Sequence, residues 1–294
     1  MAKFENIITR FAPSPTGHLH IGHAYAAAQA FNFAKRHNGQ CLLRIEDIDT
    51  SRCKPEFTQQ IISDLHWLGH QWPEPVMVQS TRFEIYRQAL QTLIERAITY
   101  PCFCTRKEIA AANKHPPGPE GIVYPGTCEH LDYETTKKRI TKGEPYVIRL
   151  KMDSALGLLK NHDLHWIEGV GLEAEPQKRL EVAAAQFGDI VLARKDTPTS
   201  YHLSVVVDDA AQGVTDVVRG QDLYFATHIH IVLQALLGLP HPRYHHHPLL
   251  THKGGPKLSK SDKHRPTPTI KSIRDQGLSL DDLEEMITDH LKAV

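Results

Sequence analysis

The chain has 294 residues, of which 40% are hydrophobic and 23% are charged, and its 34 basic and 34 acidic residues leave no net charge. These totals are ordinary for a soluble globular protein of one large domain with an insertion, or of two modest domains. They give no support for bulk electrostatic attraction to nucleic acid, and they leave a local basic face open as an alternative. No apolar run approaches the ~18–20 residues of a membrane span, and the N-terminal segment has no signal-peptide core, so we expect a cytoplasmic protein that does not enter membranes.

The first hundred residues alternate between strand and helix patterns. A β-like run at 7–11 is followed by a turn, a helix at 24–37 and a strand at 41–45, with acidic residues directly after it. This order is typical of a βαβ unit. Two further helices are predicted: one at 55–68, and one at 81–98 that opens with the capping-box pattern Thr-x-x-Glu.

Irregular sequence follows over residues 101–198 and is interpreted as an insertion. Regular patterns then resume. The apolar run 203–207 predicts a buried parallel strand, 214–218 predicts another, and 226–237 predicts a helix that ends at a glycine. Residues 279–291 predict an amphipathic C-terminal helix.

We therefore expect an α/β fold, a doubly wound parallel sheet of Rossmann-like type with an insertion and a short helical C-terminal part. The predicted division is residues 1–100 and 199–240 for the two halves of the catalytic domain, 101–198 for the insertion and 241–294 for a lysine loop and C-terminal segment. The 20 histidines are expected mostly on the surface, and the run at 244–247 in a turn that enters a strand.

Two short motifs near opposite ends of the chain predict a nucleotide site. His20 and His23 flank Gly22 before the first long helix. When ATP activates a carboxylate, negative charge develops on the α-phosphate, and imidazole and backbone N–H groups at a helix amino terminus stabilise such charge. Gly22 would let the nucleotide approach closely.

The second motif is the segment KLSKS at residues 257–261, which follows two glycines. Such a loop can close over the β- and γ-phosphates and neutralise the departing pyrophosphate. The expected catalytic and ATP contacts in this motif are Lys257, Ser259 and Lys260.

The chain resembles class I aminoacyl-tRNA synthetases of the glutamyl group. The shared segments are RFAPSPTG at 10–17, LHIGH at 19–23, LRIEDID at 43–49, YHL at 201–203, DD at 208–209, GVT at 213–215, VRGQDL at 218–223 and KLSKS at 257–261. The resemblance implies ATP-dependent activation of L-glutamate, with Mg²⁺ accompanying the nucleotide.

Four residues form the glutamate pocket that the resemblance implies. Arg10 would bind the side-chain carboxylate, Glu46 would lie near the ammonium group, and Tyr201 with Arg219 would complete the pocket. Arginine suits carboxylates because its planar fork pairs with two oxygens. The acidic side chains nearby allow several roles, namely orienting arginines, holding a ribose hydroxyl or coordinating Mg²⁺ through water; they are Asp47, Asp49, Asp208 and Asp222.

Three cysteines in the insertion predict a structural zinc site, because clustered thiolates favour Zn²⁺. Cys102, Cys104 and Cys128 supply three ligands. General coordination chemistry favours His130 as the fourth. The resemblance to short glutamyl-Q tRNA(Asp) synthetases favours Tyr124 instead, since a tyrosine four residues before the last cysteine is a zinc ligand in that group.

Only 33 residues follow position 261 (294 − 261), so we expect the chain to lack the anticodon-binding part of full-length glutamyl-tRNA synthetases. The resemblance to the short group therefore implies transfer of glutamate to queuosine in the anticodon of tRNA(Asp). We expect a monomer. Three alternatives remain: a truncated glutamyl-tRNA synthetase that acts at the tRNA 3′ end, a non-catalytic tRNA-binding paralogue, and a small-molecule carboxylate ligase.

Overall fold

The structure, a computed structural model, describes residues 6–113, 117–169, 177–251, 258 and 267–291. The strands are β1 Ile8–Phe11, β2 Gln40–Ile45, β3 Met77–Val78, β4 Thr99–Cys102, β5 Val147–Leu150, β6 His165–Gly169, β7 Gln177–Glu181, β8 Val191–Ala193, β9 Asp216–Gly220 and β10 Arg243–His247. The helices are α1 Ile21–Arg36, α2 Pro55–Trp67, α3 Phe83–Glu95, α4 Arg106–Ala112, α5 Tyr133–Thr141, α6 Met152–Leu158, α7 Tyr201–Ala211, α8 Ala226–Leu237, α9 Ile270–Asp275 and α10 Leu280–Leu291. None of these helices is both long and apolar enough to cross a membrane.

Two sheets of mainly parallel strands lie side by side at the centre of the fold. One has the order β1-β2-β3, and the other has the order β7-β6-β10-β9, in which only the β6–β7 pair is antiparallel. They meet where the Ile8 amide donates to Thr215 Oγ1 and the Thr215 amide donates to the Ile8 carbonyl, both at 2.9 Å. Helix α1 packs against both β1 and β9. The predicted doubly wound α/β fold is confirmed.

The segment between the two halves contributes to two sheets. Strands β4, β5 and β8 form a separate antiparallel sheet. Strand β6 lies within residues 101–198 but pairs in parallel with β10, with Glu168 beside Tyr244. The boundaries of the insertion stay a prediction, and this pairing shows that the segment also extends the central sheet.

Several predicted elements match the structure closely. Strands β1 and β2 and helices α2 and α10 lie within one or two residues of the predicted ranges, and α8 coincides with its predicted range. Helix α8 ends at Gly238, whose φ of 66° is left-handed, a conformation that glycine adopts without strain.

The predicted strand at 203–207 is wrong, because these residues lie inside helix α7. The hydroxyl of Ser200 caps the helix by accepting a hydrogen bond from the Leu203 amide at 3.4 Å. The helix is buried around most of its circumference between α3 and α8. A helix that is buried on all sides carries the same continuous apolar run as a buried strand, so hydrophobic periodicity cannot separate the two.

The predicted capping box of the third helix does not form. Residues 79–82 make a short 3₁₀ turn, Thr81 Oγ1 donates to the Val78 carbonyl at 2.8 Å, and α3 begins only at Phe83. The predicted turn at 244–247 is also wrong, because these residues lie in strand β10. Of the 17 described histidines, 12 are exposed or half-buried, and five are buried, namely His20, His228, His230, His245 and His247.

Candidate active site

The two motif histidines cap the first helix. His20 is the N-cap residue of α1, and its Nδ1 accepts a hydrogen bond from the Gly22 amide at 3.1 Å. His23 Nδ1 accepts one in return from the His20 amide at 3.1 Å. Because each Nδ1 is an acceptor, the ring hydrogen of each neutral imidazole lies on Nε2. Helix α1 begins at Ile21, three residues before the predicted start at residue 24, and both imidazoles lie at its positive end.

Gly22 has a structural reason to be glycine in addition to the predicted one. A Cβ atom at this position would lie 2.9 Å from Cε1 of His20. The ring is held there by its hydrogen bond to the Gly22 amide, so a side chain would displace the capping imidazole.

The C-terminal part of the chain is attached directly to this helix start. The Ile270 amide donates to the Leu19 carbonyl at 2.8 Å, and the Ile21 amide donates to the Pro268 carbonyl at 3.2 Å. Leu258, the leucine of the KLSKS segment, is buried, and its amide donates to the Leu250 carbonyl at 2.9 Å. Lys257, Ser259 and Lys260 lie outside the described residues.

One cavity of about 440 Å³ lies at the carboxyl ends of the central strands, above the junction of β1 and β9. Doubly wound folds bind ligands at this edge. Leu258 and Asp222 line the cavity, together with seven of the residues that were predicted for the site: Arg10, His20, Gly22, His23, Glu46, Tyr201 and Arg219.

A buried network of alternating charges holds Arg10. Its Nε lies 3.1 Å from Asp209 Oδ1, and an η nitrogen donates to the Val218 carbonyl at 3.3 Å. The same Asp209 oxygen accepts from Arg44 at 2.8 Å, and Arg44 also contacts Glu46 Oε1 at 3.1 Å. Two arginines and two carboxylates thus balance one another, which offsets the cost of burying each charge.

The protonation of the two carboxyl groups follows from this network. Burial by itself raises the pKa of Asp209, but the charges and hydrogen bonds of Arg10 and Arg44 outweigh burial, and the pKa is lowered. Burial raises the pKa of Glu46, and the two arginines offset only part of that increase. A substrate ammonium group beside Glu46 would favour its ionised form.

Arg219 is held by neutral acceptors. Its Nε donates to His246 Nε2 at 3.1 Å, and its two η nitrogens lie 3.2 Å from His230 Nδ1 and 2.7 Å from Thr227 Oγ1. In the described part of the chain, no carboxylate forms an ion pair with it. Arg219 is only 6% exposed, so a buried positive charge faces the cavity without a direct counter-ion.

The four aspartates for which the sequence allows several roles have different surroundings. Asp208 is fully buried and accepts hydrogen bonds from Gln79, Arg82 and Tyr86 at 2.7–2.8 Å, which ties α7 to the start of α3. Asp47 accepts from the amide and hydroxyl of Ser80 at 2.7 and 2.6 Å. Asp49 contacts its neighbours Ser51 and Arg52. Of the four, Asp222 lines the cavity.

The three cysteines of the insertion lie together. The Sγ atoms of Cys102, Cys104 and Cys128 are all within 4.8 Å of one another. The Tyr124 hydroxyl lies 3.5 Å from Cys104 Sγ and accepts from the Cys128 amide at 2.8 Å. Three sulfurs at such separations can hold a metal ion of the thiophilic type.

His130 is placed differently from Tyr124. Its side chain is 87% exposed, and its Nε2 lies 3.9 Å from Glu129. Tyr124 is buried, and the guanidinium of Arg149 covers its ring at 3.8 Å.

The family profile of class I tRNA synthetases (E and Q), catalytic domain, matches residues 6–291. The chain belongs to this family. It is 45% identical to the glutamyl-Q tRNA(Asp) synthetase of Rhodobacter capsulatus, with 96% of this chain and 99% of the relative covered. It is 38% identical to the glutamyl-Q tRNA(Asp) synthetase of Nitratidesulfovibrio vulgaris, with 92% and 81% covered.

The longer glutamate–tRNA ligases are also similar. The protein from Aquifex aeolicus is 37% identical over 92% of this chain, which spans 54% of that relative. A crystal structure of the glutamate–tRNA ligase of Elizabethkingia meningosepticum matches with a TM-score of 0.67 and 28% identity, over 90% of this chain and 54% of that one. The chain therefore spans about half the length of these ligases.

Sequence reasoning missed the residues that surround the pocket arginines. Arg44 is fully buried between apolar neighbours of β2, and a charged residue in an apolar strand is itself a signal of a buried ion pair. Asp209 was noted only as part of a shared motif. His230 lies in the apolar helix α8, and a histidine in such a run predicts a buried, hydrogen-bonded ring.

Proposed function

We propose that this protein activates L-glutamate with ATP and transfers the glutamyl group to queuosine in the anticodon of tRNA(Asp). The observation that carries the first step is the single cavity lined by the helix-capping imidazoles, the two arginines and Leu258 of the KLSKS segment. Elements from both ends of the chain thus surround one space, as formation of a mixed anhydride between glutamate and AMP requires.

The roles of the residues follow from their charges and positions. His20 and His23 stabilise the α-phosphate as negative charge develops on it. Arg10 and Arg219 bind the carboxylates of the amino acid, Glu46 faces its ammonium group and Tyr201 closes the pocket. The glutamate carboxylate is already ionised and acts as the nucleophile, so no general base is needed in this step. Lys257 and Lys260 bind the leaving pyrophosphate, with Mg²⁺ as the counter-ion that this family uses with ATP.

The second step rests on the relatives. Two proteins named glutamyl-Q tRNA(Asp) synthetase match over at least 92% of this chain and 81% of their own length. The glutamate–tRNA ligases match with lower identity and only over about half of their length. Transfer to the 3′ end of tRNA is the second candidate, supported by the shared fold of those ligases.

A two-part assay tests the proposal. Glutamate-dependent ATP–pyrophosphate exchange is expected without any RNA. Transfer of labelled glutamate is then expected to tRNA(Asp) that carries queuosine and not to queuosine-free tRNA(Asp) or to tRNA(Glu). Labelling of tRNA(Glu) would favour the second candidate, and the lack of exchange with glutamate would contradict the activation step itself.

We further propose that Cys102, Cys104, Cys128 and Tyr124 bind one Zn²⁺ ion that stabilises the insertion. The fit is carried by the three close sulfurs and by the Tyr124 hydroxyl beside them. Elemental analysis is expected to give one zinc per chain, lost in Cys104→Ser and retained in His130→Ala. Loss of zinc in His130→Ala, with retention in Tyr124→Phe, would instead make His130 the fourth ligand.

A further inference from the structure

Hydrogen bonding to Arg219 determines which ring nitrogen carries the hydrogen in the neighbouring residues His230 and His202. A guanidinium group only donates hydrogen bonds, so His230 Nδ1, 3.2 Å from Arg219, must be an acceptor. The neutral ring of His230 then carries its hydrogen on Nε2. That nitrogen lies 3.3 Å from His202 Nδ1, which must accept in turn, so the hydrogen of His202 lies on Nε2. His202 Nε2 is 3.7 Å from Glu120 Oε2.

On the other side of Arg219, the same argument gives His246 the opposite tautomer. His246 Nε2 accepts from Arg219 Nε at 3.1 Å, so the hydrogen of the neutral His246 ring lies on Nδ1. His246 Nδ1 is 2.9 Å from both carboxylate oxygens of Glu168. Glu168 is fixed by further hydrogen bonds at 3.0 Å from Trp166 Nε1 and from the His246 amide.

We propose that His230, His202 and His246 are positioning residues for Arg219. Two relays lead outward from the guanidinium, one through His230 and His202 toward Glu120 and one through His246 to Glu168. They orient Arg219 while keeping both carboxylates at a distance, so that its charge remains available for an anionic group of the substrate. This inference rests on the proposed function, since it assigns Arg219 to a carboxylate of glutamate.

Burial and the nearby positive charge both favour the neutral forms of His230 and His202. His230 is only 2% exposed. Burial and then the charge of Arg219 hold the pKa of His230 well below its ordinary value, and the same two causes lower the pKa of His202 to about 4. The charged or titratable groups that face these rings are Glu120, Tyr201, Arg219, Arg10 and His246. A neutral imidazole can accept from an arginine without cancelling its charge, as a carboxylate would.

Paired substitutions at residue 230 test the relay kinetically. His230→Gln keeps an acceptor for Arg219 and a donor for His202, whereas His230→Met removes both. We expect His230→Met to raise KM for glutamate about tenfold, the order of a lost charge-assisted hydrogen bond, with KM for ATP changed less than about twofold. His230→Gln should restore most of the loss. His228→Met is the matched control, because His228 lies on the same helix, is buried and contacts the Ala183 amide instead.

A second readout does not depend on activity. In protein labelled with ¹⁵N-histidine, nitrogen chemical shifts report which ring nitrogen carries the hydrogen. We expect His246 as the Nδ1–H tautomer and His230 and His202 as Nε2–H tautomers at pH 7.5, with each signal assigned by its loss in the corresponding glutamine variant. An Nε2–H form of His246, or a charged His230, would overturn the proposal.

The outcomes separate this inference from the proposed function. If wild-type protein shows no glutamate-dependent exchange, the proposed function fails, and the tautomers alone decide whether the relays exist. If wild-type protein is active but KM for glutamate does not differ among His230→Met, His230→Gln and His228→Met, the positioning role fails and the proposed function stands. Equal increases of KM for glutamate and ATP in His230→Met would show a structural role only and would also overturn the proposal.

Discussion

The two arginines of the cavity have almost the same exposure but opposite electrostatic surroundings. Arg10 is 5% exposed and Arg219 is 6% exposed. Arg10 shares a carboxylate, Asp209, with a second arginine, whereas Arg219 donates to two imidazoles and a hydroxyl. The charge of Arg10 is balanced before any substrate binds, and that of Arg219 is not.

This difference shows how one pocket can be both stable and selective for an anion. A buried charge without a counter-ion costs stability, and a bound carboxylate removes that cost. We therefore expect the Arg219 side to contribute more to glutamate affinity, and the Arg10 side to contribute more to holding β1, β2 and α7 together. Arg10 retains a place in recognition, since it lines the same cavity.

Matched substitutions of the two arginines give the largest expected effect. We expect Arg219→Met to lower kcat/KM for glutamate by roughly 100-fold or more, because a buried charge-assisted contact to substrate is lost, and Arg10→Met to lower it by roughly tenfold. In Arg10→Met the Asp209 carboxylate keeps its 2.8 Å contact with Arg44. The measurement is ATP–pyrophosphate exchange over a range of glutamate concentrations.

The control for this comparison is Arg82→Met. Arg82 pairs with the buried Asp208 at 2.8 Å, so its loss should lower the unfolding free energy while leaving KM for glutamate unchanged. Equal losses of kcat/KM in the two cavity variants, or a larger loss in Arg10→Met, would show that the charge balance does not decide which arginine dominates.

The features that depend on a local pattern or on a shared motif could be predicted from the sequence. The βαβ unit followed from strand, turn and helix patterns, and the helix at 226–237 followed from its apolar content and terminal Gly238. The pocket residues Arg10, Glu46 and Arg219 came from motifs, and the structure places all three around one cavity.

What the sequence could not supply depends on long-range contacts. The helical state of 203–207 is set by packing between α3 and α8, and an apolar run does not record its neighbours. The partners of Arg44 and His230 lie up to 168 residues away along the chain. Five of the 17 described histidines are buried. The hydrogen-bonding partners of His228, His230 and His245 are distant along the chain, so the sequence around these rings does not show their burial.

Acid titration should separate the two sides of the pocket by pH. The pKa of His202 is lowered from its ordinary 6.5 to about 4 in the folded protein, and that of His230 is also lowered. Between pH 6.5 and about pH 4, His202 binds a proton in the unfolded chain but not in the folded chain. The free energy of unfolding therefore falls as pH drops through this range. The pKa of Asp209 lies below its ordinary 3.8, so the stability from its ion pairs is lost only at lower pH.

His202→Gln isolates the histidine contribution, because glutamine stays neutral at every pH and offers both an acceptor and a donor. We expect the unfolding free energy of wild-type protein, relative to His202→Gln, to fall by about 1–2 kcal/mol between pH 7 and pH 5. Urea denaturation at the two pH values measures the difference. The titrating groups outside the relay are common to both proteins and cancel. A difference that is independent of pH would mean that His202 is already charged or freely solvated in the folded state, and the neutral relay on the Arg219 side would then be wrong.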